Sequence, residues 1–247
     1  MFDLQIDGPI ARLALQRPEA RNAIPLAGWA ELGATAQKAG AEARILILSG
    51  MPGGVFCAGA DIADFDGFRD DPAARSGFRE AIRQGLDALR DLPIPTIALV
   101  EGACYGAGVA VAMACAMRVA ARSARFAITP AKLGISYPQE DVHRLVALTG
   151  PGQAARLLFS AGSIDGAEAH RIGLVEILAD GNAALAVEDL ALAMAANDAA
   201  SLATLKRSIR LASAGIVRDD DQDHLFEELL GSSASADRLR AYRNRPR

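Results

Sequence analysis

Three short, almost wholly apolar runs, ARILILS (43–49), PTIALV (95–100) and MRVAA (117–121), recur along this 247-residue chain with helical patterns between them. Runs this short and this apolar suit strands covered on both faces, and strands spaced by helices suit a parallel sheet. The chain is therefore expected to be α/β. The first two runs each lead into a glycine-rich turn, GMPGGVFCAGAD (50–61) and GACYGAGVAVAMA (102–114). In such sheets ligands sit beyond the carboxyl ends of the strands, where loops of this kind gather.

The flanking segments fit around that centre. FDLQIDGPIARLAL (2–15) alternates like a pair of strands, and Asp71 with Pro72 is expected to cap and open a helix carrying Phe78, Ile82, Leu86 and Leu89 on one face. From about residue 182 strand signals stop. Helical patterns follow over 182–197, over 201–213 with Ser201 as the expected N-cap, and over 219–244 with a break near Gly231. The division is thus a core over 1–181 and a helical region over 182–247 that packs on the core or on a neighbouring subunit, as one folding unit.

Composition removes several function classes. Hydrophobic residues make up 51% of the chain but aromatics only 5%, so the core is built from Ala, Val, Leu and Ile. The net charge is −4, and the basic residues are scattered apart from RLRAYRNRPR (238–247), which argues against a nucleic-acid partner. Cys57, Cys104 and Cys115 are odd in number and lack metal-ligand spacing, so they read as reduced, small core residues, with no metal implied. The start lacks the basic and long apolar segments of a secretion signal, and a cytoplasmic protein is expected. The apolar stretch 102–114 is short for a bilayer crossing and reads as a buried helix, so no membrane partner is expected.

Two chemistries suit the glycine turns. Phosphate binding at a helix N-terminus is one, but GACYGAG has the spacing GxxxGxG rather than GxGxxG and no Lys-Ser/Thr follows it. The other is an oxyanion hole, in which small residues let backbone N–H groups from two loops converge on one carbonyl oxygen. Tight helix–strand packing alone would also explain one such loop. Two after successive strands favour the oxyanion hole.

LQRPEARNAI (15–24), GGVFCAGADI (53–62), IPTIALVEGACYGAGVAVAMAC (94–115), ARFAITPAKLGI (124–135), RLVALTG (144–150), DGAEAHRIGLVE (165–176) and the ending AYRNRP (241–246) together resemble the crotonase, or enoyl-CoA hydratase/isomerase, superfamily along nearly the whole chain. The resemblance implies a spiral of ββα units with a C-terminal α-helical trimerisation region, assembled as a homotrimer or a dimer of trimers. It implies stabilisation of a coenzyme A thioester enolate, the acyl-CoA or enoyl-CoA being substrate, with no separate cofactor. The oxyanion donors it implies are the amides of Ala60 and Ala107, with Gly106 and Gly108 freeing the backbone around Ala107. Arg21, Ala23, Ala58, Ala60, Asp61 and Ile62 are the residues it places along the coenzyme groove, with Gly106 and Ala107 at the thioester. Arg21 and Lys206 read either as phosphate contacts or as solvated surface cations.

The chain departs from the family pattern where hydratases hold two glutamates, for Ala110 and Ala131 occupy those positions, and Ala116 replaces a usual aspartate. Alanine transfers no proton. SYPQEDVHRL (136–145) is the nearest source of acid/base groups, with Glu140 as the leading general base and Asp141, His143 and Tyr137 behind it. Some isomerases of the family work with one carboxylate from this neighbourhood, two positions away from Glu140. Double-bond isomerisation or atypical hydration is expected, the alternatives being a non-catalytic acyl-CoA-binding homologue or an acyl-CoA hydrolase. A serine peptidase on a related spiral is disfavoured, because Ala107 stands where its nucleophile is expected and 102–114 contains no serine.

Overall fold

A computed structural model describes residues 1–51 and 54–244. Gly53 of the first glycine-rich motif, and Arg245 and Pro246 of the C-terminal motif, lie outside the described residues. The chain begins with an antiparallel pair, β1 (Phe2–Asp7) and β2 (Ile10–Leu15), followed by helix α1 (Leu26–Glu42). Strand β3 (Ile45–Ser49), helix α2 (Pro72–Arg90) and strand β4 (Thr96–Val100) come next. Two ββα-like turns follow: β5 (Ala103–Tyr105) with α3 (Ala107–Ala114), then β6 (Met117–Ala121) and β7 (Arg125–Ala127) with α4 (Gln139–Ser160). The remaining elements are β8 (Ile164–Asp165), α5 (Gly166–Arg171), β9 (Ile177–Ala179) and helices α6 (Ala183–Ala195), α7 (Ala199–Ser213), α8 (Asp220–Leu230) and α9 (Ser233–Arg243).

The strands form two sheets. One has the order β1-β2-β3-β4-β6-β9 and is parallel apart from the β1–β2 pair; the other has the order β5-β7-β8. The inner strands β2, β3, β4 and β6 split their apolar residues between two cores, as the period of two demands. Leu46 and Leu48 face the core shared with α1, α2 and α3, while Ile45 and Ile47 face a second core closed by Ala183, Val187, Ala191 and Ala195 of α6. Both faces are covered. That coverage explains why the parallel strands are uninterrupted apolar runs.

At Gly102 the chain leaves the larger sheet and crosses into the smaller one, so 102–106 forms a turn and β5, and only 107–114 is helical. The helix expected over the whole apolar stretch is therefore shorter, because 103–105 pair with 125–127 of β7 instead. Asp71 caps α2 by accepting the Ala74 amide at 2.9 Å, with Pro72 opening the helix. The cap of α7 differs from expectation. Asp198 accepts both the Ser201 amide (2.9 Å) and its hydroxyl (3.1 Å), since its carboxylate stands ahead of the helix while Ser201 is already inside the first turn.

Helix α6 is fastened to β2 by a two-pronged pair, Arg12 Nε and Nη2 to Glu188 Oε1 and Oε2 at 2.7 and 2.6 Å. No residue of α7, α8 or α9 is buried in the single chain. Among the described residues no helix is long and apolar enough to cross a membrane. Cys57, Cys104 and Cys115 are free, buried thiols, and burial raises the pKa of all three, Cys57 and Cys115 to about 12. They are protonated packing groups.

Candidate active site

The two glycine turns lie side by side. Phe56 N donates to Ala103 O at 2.9 Å and Tyr105 N to Cys57 O at 2.8 Å, so the first loop runs beside β5 with Cys57 opposite Cys104. Two glycines permit this approach. A Cβ on Gly108 would stand 2.4 Å from Cys57 O, inside any tolerable contact, and Gly106, the N-cap of α3, sits at φ 53°, ψ −124°, a conformation that L side chains rarely adopt.

The same geometry sets two backbone amides beside one cleft. Ile24 N donates to Gly59 O (2.8 Å) and Asp61 N donates to Ile24 O (2.9 Å), so the intervening Ala60 N–H points the other way. Ala107 is the first residue of α3, where the N–H has no intrahelical acceptor. Ala60 and Ala107 line one cleft of about 500 Å³, at the positive end of a helix that carries no charged residue. That volume lies within the range of small-molecule sites.

Asn22 holds the first loop in place. This buried side chain donates to Val55 O (2.8 Å) and Phe56 O (3.2 Å) and accepts from Arg17 N (2.8 Å). Its backbone φ of 58° is of the kind asparagine tolerates better than most residues. Arg17 extends the brace with Nη1 on Asp61 Oδ2 (2.5 Å) and on Ala23 O (3.0 Å), and this guanidinium holds the Asp61 carboxyl below its ordinary range.

The candidate residues thus separate by position. Ala58, Ala60, Ile62, Gly106 and Ala107 line the cleft. Arg21, Ala23 and Asp61 do not line it, and the Arg21 carbonyl accepts the Ala58 amide at 3.0 Å. Glu140 is exposed and borders a neighbouring hollow with Arg83 and Asp87, not the main cleft. Its neighbour Asp141 borders both. Lys206, half-buried on α7, turns inward, donating to Ile94 O at 2.7 Å, and this partial loss of solvent pulls it down to about 8.

Asp141 is 2% exposed and is held by Arg144 Nη1 at 2.8 Å. Burial pushes its carboxyl up to about 6; Arg144 opposes that shift, and Glu140 adds to it. Tyr137 stands between this carboxyl and the second loop, its hydroxyl donating to Gly106 O at 3.1 Å. The Tyr137 phenol is driven up chiefly by burial and then by Asp141, so it stays neutral. Ala110 is fully buried one turn into α3, whereas Ala131 is exposed on the short turn before α4.

Much of the rest of the cleft is apolar, with Arg75, Arg79, Thr129 and Ser136 as its polar members. Ile62, Phe65, Phe68, Phe78, Ile82, Leu133 and Ile135 line it, and the three phenylalanines touch one another with ring centroids 5.1–5.4 Å apart. Of these, Ile62 was named through the family resemblance, and Phe78 and Ile82 had a signal in the sequence as an apolar pair at helical spacing. Leu133, Ile135 and the 62–68 turn follow no periodicity.

In this α/β fold two backbone amides from adjacent loops, those of Ala60 and Ala107, and one enclosed carboxylate, Asp141, border a single cleft. The chain belongs to the enoyl-CoA hydratase/isomerase family, whose profile matches residues 5–237. Among solved structures it is similar to an enoyl-CoA hydratase/isomerase family protein from Hyphomonas neptunium, at 34% identity and TM-score 0.92 over 98% of this chain and 94% of that one. It is also similar to an enoyl-CoA hydratase/carnithine racemase from Magnetospirillum magneticum (28% identity, TM-score 0.91, 98% and 92% covered). The fold is that of the crotonases. Among curated proteins it is 32% identical to the mitochondrial methylglutaconyl-CoA hydratase of Mus musculus over 70% of this chain. The match spans 55% of that relative, so this chain covers about half its length.

Proposed function

We propose that this protein binds an enoyl coenzyme A thioester in the cleft and shifts its double bond, with the Ala60 and Ala107 amides on the thioester oxygen and Asp141 as the single proton carrier. One observation carries the reading: both free amides and the enclosed Asp141 border the same cleft, while positions 110 and 131 hold alanines. The base is thereby moved from Glu140 to the next residue, which is the one turned to the cleft.

In a β,γ-enoyl thioester the Asp141 carboxylate takes a proton from the carbon next to the carbonyl. The C–H electrons form the enolate, and its charge collects on the oxygen facing the two amides. Each amide contributes about 3 kcal/mol to the transition state. Asp141, now protonated and able to exchange its proton with solvent, then delivers a proton to the γ-carbon as the double bond moves into conjugation, so no net water, electron or proton is consumed. One carboxylate suffices. The coenzyme lies along the 58–62 loop, and the exposed Leu205, Ile209, Phe226 and Leu230 of α7 and α8 form the surface on which copies meet as a trimer or a dimer of trimers.

The alanines at 110 and 131 favour a second reading, a coenzyme A thioester binder without turnover. Purified protein mixed with a β,γ-enoyl thioester separates the two by the ultraviolet absorbance of the conjugated product. Turnover that Asp141→Asn removes is expected. Tight binding of a saturated thioester with no turnover leaves the second reading, and no binding at all overturns both.

A further inference from the structure

The geometry points to the Phe65, Phe68 and Phe78 trio as a distal acyl site that selects thioesters ending in a bulky, flat apolar group such as a phenyl ring. This deepens the reading above and rests on it. Among the described residues the trio holds all the aromatic ring contacts, and it uses three of the chain's eight phenylalanines. Phe65 and Phe68 stack at 5.4 Å, and Phe78 meets Phe65 edge-on at 5.3 Å. All three rings are only half-buried, because one side of the cluster faces the cleft.

The trio lies at a definite distance from the reacting end. Phe78 and Ile82 are one turn apart on α2, about 6 Å along the helix axis, and Ile82 borders both hollows that Asp141 borders. An acyl chain whose reacting carbons sit at Asp141 therefore meets the rings several carbons further on. The turn that carries Phe65 and Phe68 is tied to α2 by Arg75 Nη1, which donates to Phe68 O and to Arg69 O (the latter at 2.9 Å), so this guanidinium is spent on the scaffold. A ring entering the site finds face and edge contacts of the kind aromatic pairs favour.

Direct binding of saturated thioesters tests this without turnover. Acetyl-, octanoyl- and phenylpentanoyl-CoA, a carboxylate-ended acyl-CoA and free coenzyme A are titrated into the wild-type protein, Phe78→Ala and Phe68→Ala, each variant being checked for folding by circular dichroism. The wild type is expected to hold the phenyl-ended thioester about tenfold more tightly than the acetyl one, and either variant to erase most of that ratio. Equal loss for free coenzyme A would overturn the proposal by assigning the rings to the coenzyme. Preference for the carboxylate-ended chain would overturn it in favour of Arg79, a cationic residue of the cleft lining. Binding of all thioesters without discrimination overturns this inference alone. Failure of every thioester to bind removes the function reading with it.

Discussion

Arg144 Nη1 donates to Asp141 Oδ1 at 2.8 Å while its Nη2 reaches Asp87 Oδ1 at 3.2 Å, so one guanidinium joins the enclosed carboxylate of α4 to helix α2 across the edge of the cleft. Asp87 is also met by Arg90 Nη1 at 2.8 Å and Arg83 Nη1 at 3.3 Å. Asp141 is therefore fixed in place without being strongly neutralised. Burial outweighs Arg144, and the carboxyl remains close enough to neutrality in its titration to exchange protons.

A base works only when ionised, so kcat/KM is expected to fall as pH drops through about 6. Asp141→Asn is expected to lower kcat by about 10²- to 10⁴-fold. Glu140→Gln is expected to keep activity and move the acid limb lower, because the Glu140 charge raises Asp141. The pH–rate profiles of the three proteins check this, and loss of activity in the Glu140 variant alone would return the base to that residue.

Removal of the guanidinium in Arg144→Met has the opposite sign. Its charge and hydrogen bond both lower the Asp141 value, so the acid limb is expected to move above 6. The same change leaves a buried carboxylate without its partner, and a stability loss of about 3 kcal/mol is expected in urea at neutral pH, shrinking as Asp141 becomes protonated at lower pH. The folded value is raised, so the penalty belongs to the ionised form.

Gly108→Ala places a methyl group 2.4 Å from the Cys57 carbonyl and must part the two loops. Activity is expected to drop about 100-fold, comparable with the loss of one oxyanion donor. Thioester affinity is expected to change much less. Single-turnover kinetics beside equilibrium binding separate the two effects.

Asn22→Ala strands the Val55 and Phe56 carbonyls and puts alanine at a φ of 58°. A cost of about 2 kcal/mol is expected in chemical denaturation. Because Asn22 braces the loop that carries Ala60, kcat is expected to fall with it.

The larger sheet was legible because β3 and β4 are apolar on both faces, as buried parallel strands must be. β5, β7, β8 and β9 were not, since two or three residues are too few to show a period. The pairing of the glycine turns was legible in kind, from small residues after successive strands. The choice between neighbouring carboxylates was not. Successive helix residues point about 100° apart, so whether Glu140 or Asp141 meets the cleft depends on how α4 docks against α2, which involves Arg144 and Asp87, 57 residues apart in the sequence. Phe65 and Phe68 were hidden for the same reason, as a turn acquires a lining role only when α2 folds beside it.

Solvent deuterium entering the carbon next to the carbonyl of a bound enoyl thioester, followed by mass spectrometry in the wild type and in Asp141→Asn, tests the enolate and its base together. Exchange in the wild type that the substitution abolishes, with thioester affinity unchanged, is the expected result. Exchange that survives in Asp141→Asn would contradict the account.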